Sequence, residues 1–199
     1  MVECGRRLWQ RNLIGACEGN LSCQLDDGRI LCTPNGAVKG DLGASDLVVI
    51  DLNGKQIDSN SNTPSSEIRV HTAIYRECPS VGAVVHAHPI YATSFALAGV
   101  TIPTDSLPEA LVELGPVALV PFAMPGTEEL PAAMLPYLDK HRTFLLANHG
   151  AVTVGSGLLE AANRMECLER VAQIIYLSRA LGGPVPLGED DLRRLGGTR

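Results

Sequence analysis

The sequence predicts an α/β protein in which a central, mostly antiparallel sheet lies between two layers of helices. Short β-prone runs end at turn-forming residues such as Asp26-Asp27-Gly28, and segments of helical period lie between many of them. The 199 residues are 45% hydrophobic and 19% charged, which is enough apolar material for a substantial core. We therefore expect one domain over residues 1–199, with a polar tail from about residue 184.

The elements are predicted in order along the chain. An amphipathic helix over residues 1–15 comes first, with leucines on one side and arginines on the other. The predicted strands share β-prone, mostly apolar runs bounded by turn residues; the first opens at 19–22, and the others cover 29–33, 47–52, 83–88, 117–122, 144–149 and 151–154. The predicted helices share helical spacing and most have a cap; they run from 63–67 to about 78, over 90–98 and 107–114, from 125–129 to about 140, and over 158–181.

Composition excludes several classes of function. The chain has 16 basic and 22 acidic residues, a net charge of −6, and no run of lysines or arginines, so we expect no nucleic-acid partner. No stretch approaches the roughly 20 apolar residues of a membrane span, and the start does not resemble a secretory signal. The six cysteines form no C-x-x-C motif. We expect reduced thiols in a cytoplasmic protein.

Histidines end two of the predicted strands. His86 and His88 follow Ala83-Val84-Val85, and residues two apart on a strand project to the same face. His149 follows the apolar run 144–147 and precedes a glycine. Three imidazoles at two strand ends suit a divalent transition metal, above all zinc, with a position open for water or substrate. The alternative is a set of core or turn histidines that hydrogen-bond to the backbone.

Six motifs in fixed order resemble the class II aldolases of the fuculose-phosphate aldolase type. They share small, polar or metal-ligating residues at turns and strand ends, and they are G-N-L-S (19–22), T-P-N-G (33–36), P-S-S-E (64–67), V-H-A-H-P (85–89), P-G-T-E-E-L (125–130) and N-H-G (148–150). The resemblance covers roughly residues 5–185. The same superfamily contains ribulose-phosphate 4-epimerases, methylthioribulose-phosphate dehydratases and the non-catalytic head of adducin.

The resemblance implies an α/β/α zinc enzyme that acts on small phosphorylated sugars. It implies a homotetramer with active sites near subunit interfaces and one Zn²⁺ per subunit, with Mn²⁺ or Co²⁺ as alternatives. The implied metal ligands are His86, His88 and His149, together with Glu67, which is a resting-state ligand and also the catalytic base. The implied phosphate-binding residues share small or hydrogen-bonding groups at turns; they are Gly19, Asn20, Gly36, Ser65 and Ser66.

The implied reaction is cleavage of a ketose 1-phosphate to dihydroxyacetone phosphate and an aldehyde. Breaking a carbon–carbon bond beside a ketone requires an enediolate, whose charge a zinc ion stabilises as a Lewis acid. A neighbouring carboxylate such as Glu67 can move the proton on the adjacent carbon. Glu67 could instead be a first-turn glutamate that favours the helix dipole, and the serines could be caps alone.

The sequence departs from the aldolase pattern near residue 107. A tyrosine that donates a proton in fuculose-phosphate aldolase falls on Leu107 here, and leucine cannot donate. Glu109, two residues on, is a candidate second acid or base, or else a helix cap. A dehydratase or epimerase on the same scaffold is therefore an alternative activity, and an adducin-like interaction module is a more distant one. Glu18 adds an unexpected acid beside the phosphate motif.

Overall fold

The computed structural model describes residues 1–196; residues 197–199, the end of the predicted polar tail, lie outside that description. Its centre is a seven-stranded sheet in the order β3-β2-β1-β4-β7-β6-β5. The strands are largely buried; they are β1 (Asn20–Gln24), β2 (Ile30–Cys32), β3 (Val48–Ile50), β4 (Ala83–Ala87), β5 (Val117–Val120), β6 (Thr143–Leu146) and β7 (Gly150–Gly155). All neighbouring pairs are antiparallel except β5 and β6, which are parallel.

Helices cover both faces of the sheet, which confirms the predicted α/β/α layering. The helices are α1 (Val2–Gln10), α2 (Ile68–Glu77), α3 (Ile90–Ala98), α4 (Glu129–Met134), α5 (Leu158–Ser178) and α6 (Glu189–Gly196). Residues of α1, α3 and α5 share one buried apolar cluster with the sheet, and residues of α2 and α4 share a second. Side chains of consecutive strand residues pack in opposite clusters. Leu145 belongs to the first cluster and Phe144 to the second, as the two-residue period of a strand requires.

Several predicted helices have different ends in the structure. The helix predicted over 1–15 ends at Gln10, because the chain adopts a left-handed conformation at Asn12 (φ 56°). The helix predicted to reach residue 140 stops at Met134 and continues as a 3-10 turn, since Pro136 provides no N–H to an α-helix. The short helix predicted over 107–114 includes a π-helical turn, Ala110–Leu114.

The tail contains more structure than the sequence indicated. The sequence predicts a polar tail from about residue 184, yet α6 spans eight residues of it. Its first turn is acidic and its last is basic, an arrangement that complements the helix dipole. Ion pairs from Arg193 to Glu189 and Asp190 connect the two ends. The backbone N–H of Leu187 donates to the Asp105 carbonyl and ties the tail to the body of the protein.

Two further expectations concern membranes and thiols. Among residues 1–196, none of the helices combines the length and the apolar character needed to cross a membrane. All six cysteines are free thiols, as predicted. Burial raises the pKa of the Cys32 thiol to about 12, which keeps it protonated and unreactive.

Candidate metal centre and active site

The three predicted histidine ligands meet at one edge of the sheet. His86 lies on β4, His88 follows the end of that strand, and His149 lies in the turn between β6 and β7. Because β4 and β7 pair along their whole length, their ends are neighbours. The ring centroids are 4.8 to 5.1 Å apart. One nitrogen from each ring lies within 4.8 Å of the others, which is close enough for a shared ion.

Hydrogen bonding fixes the orientation of the His86 ring. Its Nδ1 lies 2.9 Å from the carbonyl oxygen of Ala151, which can only accept, so Nδ1 carries the proton. Nε2 therefore points to the centre of the cluster, where Nε2 of His88 is 3.1 Å away. A histidine that holds a backbone carbonyl with one nitrogen and points the other at a shared centre has the arrangement of a metal ligand.

Glu67 completes the cluster. Its Oε1 is 3.1 Å from Nε2 of His149 and its Oε2 is 3.3 Å from Nε2 of His86. The Asn20 amide also donates to Oε2, at 3.0 Å. Glu67 precedes the first turn of α2 rather than lying in it, and its side chain faces the histidines. Glu67 therefore contacts the histidine cluster from the N-terminus of α2, and its catalytic role stays a prediction.

Electrostatics favour an ionised Glu67 and a neutral His88. Burial by itself would raise the pKa of Glu67, but hydrogen bonds from His149 and His86 outweigh it and hold the pKa below its ordinary value. Burial and the neighbouring His86 and His149 lower the pKa of His88 to about 4. A carboxylate and neutral imidazoles are the protonation states that bind a divalent cation.

Glu18 has a place in the cluster that sequence reasoning missed. Its Oε2 lies 3.7 Å from Nδ1 of His88, on the side of that ring away from His86, and it accepts the backbone N–H of Gly15. A carboxylate behind a metal-binding imidazole is a common way to orient the ring. The donor set consists of three imidazole nitrogens and one carboxylate, and the Ala151 carbonyl and Glu18 lie behind two of the imidazoles. Such a set fits a zinc-type metal ion.

The five predicted phosphate-binding residues line one cavity of about 230 Å³. They come from three segments, the start of β1, the turn after β2 and the residues ahead of α2, and they are Gly19, Asn20, Gly36, Ser65 and Ser66. Glu67 and His88 line the same cavity, so it connects the histidine cluster to these segments. The β1–β4 register pairs Asn20 with His86. The Asn20 amide therefore lies between the histidine cluster and Ser65, and it donates to both Glu67 and Ser65.

Two glycines are required by close backbone approach at this junction. Gly19 has a left-handed φ of +66°, and a Cβ there would lie 2.6 Å from the His86 carbonyl oxygen. A Cβ on Gly150 would lie 2.4 Å from Cδ2 of His88. Both glycines belong to motifs identified in the sequence, and each makes room for a histidine of the cluster.

The chain does not bring Glu109 to this cavity. Its carbonyl accepts a weak hydrogen bond from Cys167 on α5, at 3.9 Å, and Glu109 is absent from the lining among the described residues. Leu107 packs against the apolar cluster of α1, α3 and α5. His71, on the first turn of α2, lies in a buried chain in which the Ser22 hydroxyl contacts His71 Nδ1 at 2.6 Å and the Tyr75 hydroxyl at 2.7 Å.

The site and fold match known proteins over most of the chain. The sequence pattern of the class II aldolase and adducin N-terminal domain family matches residues 1–176. The chain belongs to this family. Class II aldolases depend on metals, and the His86, His88 and His149 cluster is this member's candidate metal site.

Relatives within the class II aldolase family carry out different reactions. A 3-oxo-tetronate 4-phosphate decarboxylase of Pectobacterium atrosepticum is 36% identical over 181 residues, 89% of this chain and 82% of the relative. An L-fuculose phosphate aldolase of Methanococcus maripaludis is 33% identical over 170 residues, 85% of this chain and 91% of the relative. The crystal structure of a putative aldolase/epimerase/decarboxylase from Klebsiella pneumoniae has a TM-score of 0.90, with 35% identity over 98% of this chain and 95% of that one.

Proposed function

We propose that this chain is a metal-dependent carbon–carbon lyase that acts on a small phosphorylated sugar derivative. The observation that carries the proposal is the cavity that joins two sets of groups. At one end Glu67 lies among three imidazoles, and at the other Ser65, Ser66 and Gly36 surround space for an anion. A substrate anchored by phosphate at the second end would extend its carbon chain toward the first.

The first candidate reaction is decarboxylation of a phosphorylated 3-oxo sugar acid, with 3-oxo-tetronate 4-phosphate as the representative substrate. Relatives of 33 to 36% identity carry that activity in their names. Leu107, at the position of the aldolase proton donor, also favours it. Carbon dioxide leaves without gaining or losing a proton, whereas an aldehyde leaves only after a hydroxyl proton has been removed. Decarboxylation therefore needs no tyrosine at that position.

The proposed roles follow from where the groups lie. The Ser65 and Ser66 hydroxyls and the backbone of Gly19 and Gly36 bind the phosphate. A divalent ion held by the three histidines would supply Lewis acidity toward the substrate's carbonyl and hydroxyl oxygens. The bond to the carboxyl carbon breaks, its electron pair stays on the neighbouring carbon, and Glu67 delivers a solvent-derived proton to that carbon. The products are CO₂ and dihydroxyacetone phosphate.

Aldol cleavage of a ketose 1-phosphate is the second candidate, supported by the fuculose phosphate aldolases among the relatives. It gives the same dihydroxyacetone phosphate with an aldehyde in place of CO₂. In that reaction Glu67 would play the same part at the carbon, and a group other than Leu107 would accept the hydroxyl proton. The two candidates therefore share the site and differ in the leaving fragment.

An NMR experiment on labelled substrate separates the candidates. Metal-loaded protein is incubated with 3-oxo-tetronate 4-phosphate carrying ¹³C in the carboxyl group, beside a protein-free sample that reports spontaneous loss. Decarboxylation predicts accelerated release of ¹³CO₂ and accumulation of dihydroxyacetone phosphate. Products with the carbon chain intact would instead identify a dehydratase or epimerase, and a protein that binds no metal and changes no substrate would be an adducin-like module.

We also propose a homotetramer in the cytoplasm. The C-terminal half of α5 exposes apolar side chains, among them Tyr176 (54% exposed) and Leu177 (53%). Single exposed apolar residues are common, but neighbouring ones on a helix suit a subunit interface. Such an assembly could bring Glu109 of one subunit to the cavity of the next. Free thiols agree with a reducing compartment. Light scattering that gives the mass of a monomer would contradict the assembly.

A further inference from the structure

Lys39 lies beneath the phosphate end of the cavity and has no role in the sequence-based site. The chain has three lysines, and Lys39 is the buried one: its side chain is among the largest with less than 2% exposure, whereas Lys55 and Lys140 are exposed. Burying an ammonium group is costly unless hydrogen bonds and an opposite charge compensate for it. The surroundings of Nζ therefore indicate what this lysine is for.

The Lys39 ammonium connects two of the turns that form the cavity. Nζ donates to the carbonyl oxygen of Cys17 at 2.9 Å and to that of Ala37 at 2.9 Å. Cys17 precedes Gly19, and Ala37 follows Gly36, so the lysine ties together two turns with phosphate-binding glycines. Lys39 itself lines the cavity beside them. Its position depends on both turns and supports both.

Among the described residues, the Lys39 ammonium has no ion-pair partner and one of its N–H donors has no acceptor. An ammonium group has three N–H donors, and two of them are used by the carbonyls. Within residues 1–196 no carboxylate forms an ion pair with Nζ and no third acceptor lies in hydrogen-bond range. Burial lowers the pKa of Lys39 below its ordinary value, and the Glu67 carboxylate, which forms no ion pair with Nζ, offsets only part of that effect. The cavity is where an anion can approach the remaining donor.

We infer that Lys39 is a phosphate-binding residue that supplies the positive charge of the site, while it holds the 15–19 and 34–37 turns in place. The inference rests on the proposed function, because it takes the anion to be the substrate's phosphoryl group. The other groups assigned to this end are neutral hydroxyls, an amide and backbone N–H groups. A dianion bound there would find its only buried lysine partner in Lys39.

The test is binding of inorganic phosphate to the full-length, metal-loaded protein, measured by calorimetry at pH 7.5. Lys39→Gln keeps an N–H donor for the carbonyls and removes the charge, Lys39→Arg keeps the charge, and Lys55→Gln is the matched surface control. A charge-assisted hydrogen bond predicts that Lys39→Gln weakens phosphate binding about 10- to 100-fold. Lys39→Arg should lose less, and Lys55→Gln should be unchanged. Equal affinity of Lys39→Gln and wild type would overturn the inference, and so would equal losses in the Gln and Arg variants.

A second measurement needs no substitution at residue 39. In protein labelled with ¹³C at the lysine Cε, three signals are expected, and Lys55→Gln and Lys140→Gln assign the third to Lys39. Phosphate should shift the Lys39 signal and leave the other two in place; an unmoved Lys39 signal would refute the assignment. Neither measurement requires turnover. If the protein binds phosphate through Lys39 but cleaves no substrate, only the proposed reaction is rejected. If the protein is an active lyase whose phosphate binding does not depend on Lys39, only this inference is rejected.

Discussion

The two ends of the cavity are built in different ways. At the metal end, long side chains from β4, the β6–β7 turn and the start of α2 converge, and His86 is 2% exposed. At the phosphate end, the cavity wall is made largely of turns, with Gly19 and Gly36 in left-handed conformations and two serines ahead of α2. The metal end is built mainly on strands of the sheet. The phosphate end is built mainly on the turns that connect strands and helices.

Because of this difference, the two ends of the cavity are expected to affect different kinetic constants. Groups that surround the bond to be broken stabilise the transition state more than the bound substrate, so their loss lowers kcat. Groups that hold a phosphate bind substrate and transition state alike, so their loss raises KM. Substitutions at the two ends of the cavity should therefore give kinetically distinct defects.

The largest effect is expected from His149→Gln at the metal end. Removal of one imidazole from a three-histidine set should strip most of the bound metal and lower kcat by about a thousandfold or more, because metal assistance is worth several kcal/mol. Elemental analysis and steady-state kinetics measure the two effects. His141→Gln is the matched control, because His141 lies away from the cavity and contacts Tyr137. Full activity of the His149 variant without bound metal would contradict a catalytic role for the metal end.

Glu67→Gln should separate proton transfer from metal binding. The amide keeps the shape of the side chain and loses the base, so we expect an intact fold, retained metal and a kcat lowered about a hundredfold or more. Circular dichroism, metal content and turnover are the three readouts. Turnover like that of the wild-type protein would refute the assignment of Glu67 as the group that handles the proton.

Ser66→Ala should give the opposite kinetic pattern. Loss of one hydroxyl donor to the phosphate is expected to raise KM about tenfold and leave kcat within about twofold, in line with a hydrogen bond to a charged group. Ser94→Ala on α3 is the control, because its hydroxyl donates only to the Ile90 carbonyl within the helix. A selective fall in kcat for Ser66→Ala would show that the two ends are not kinetically separate.

The smallest effect on turnover is expected at His71, behind the metal end. Burial lowers its pKa to about 3, whereas an unfolded histidine has a pKa of about 6.5. Between these values the unfolded state binds one more proton, so this residue lowers the free energy of unfolding by about 1.4 kcal/mol per pH unit as the pH falls from 6.5 toward 3. Denaturant unfolding of metal-free protein from pH 6.5 to 4.5 should show a shallower pH dependence for His71→Gln. Identical slopes would mean that His71 is protonated in the fold.

Residue type was sufficient to predict that the three histidines lie together, whereas Glu67 entered through the family resemblance. Histidines at i and i+2 at the end of a strand, and one more at the end of another strand, share a sheet edge whenever those strands are neighbours. Here β4 is not next to β6, but it pairs with β7, which begins directly after His149, and so the three histidines meet. The fold class followed equally from the apolar runs and their turns. The early end of α1 depended on a left-handed Asn12, for which the apolar pattern gave no signal.

The phosphate end was accessible mainly through the family resemblance. Glycines and serines at turns are common, and only the tertiary fold gathers Gly19, Gly36 and Ser66 around one cavity. Lys39 escaped notice because an isolated lysine usually lies on the surface. Glu109 carries little local signal for a catalytic role, and its distance from the cavity within one chain leaves that role a prediction. The choice between decarboxylation and aldol cleavage depends on substrate contacts that motifs do not record.

The most direct test of the central claim is release of dihydroxyacetone phosphate by the purified protein. Metal-loaded and chelator-treated samples are compared on 3-oxo-tetronate 4-phosphate and a panel of ketose 1-phosphates, with a coupled assay for the shared product. We expect at least one substrate to give dihydroxyacetone phosphate, chelation to abolish its release, and added zinc, manganese or cobalt to restore it. Release that is unaffected by removal of the metal, or no release from any substrate by metal-loaded protein, would contradict a metal-dependent lyase.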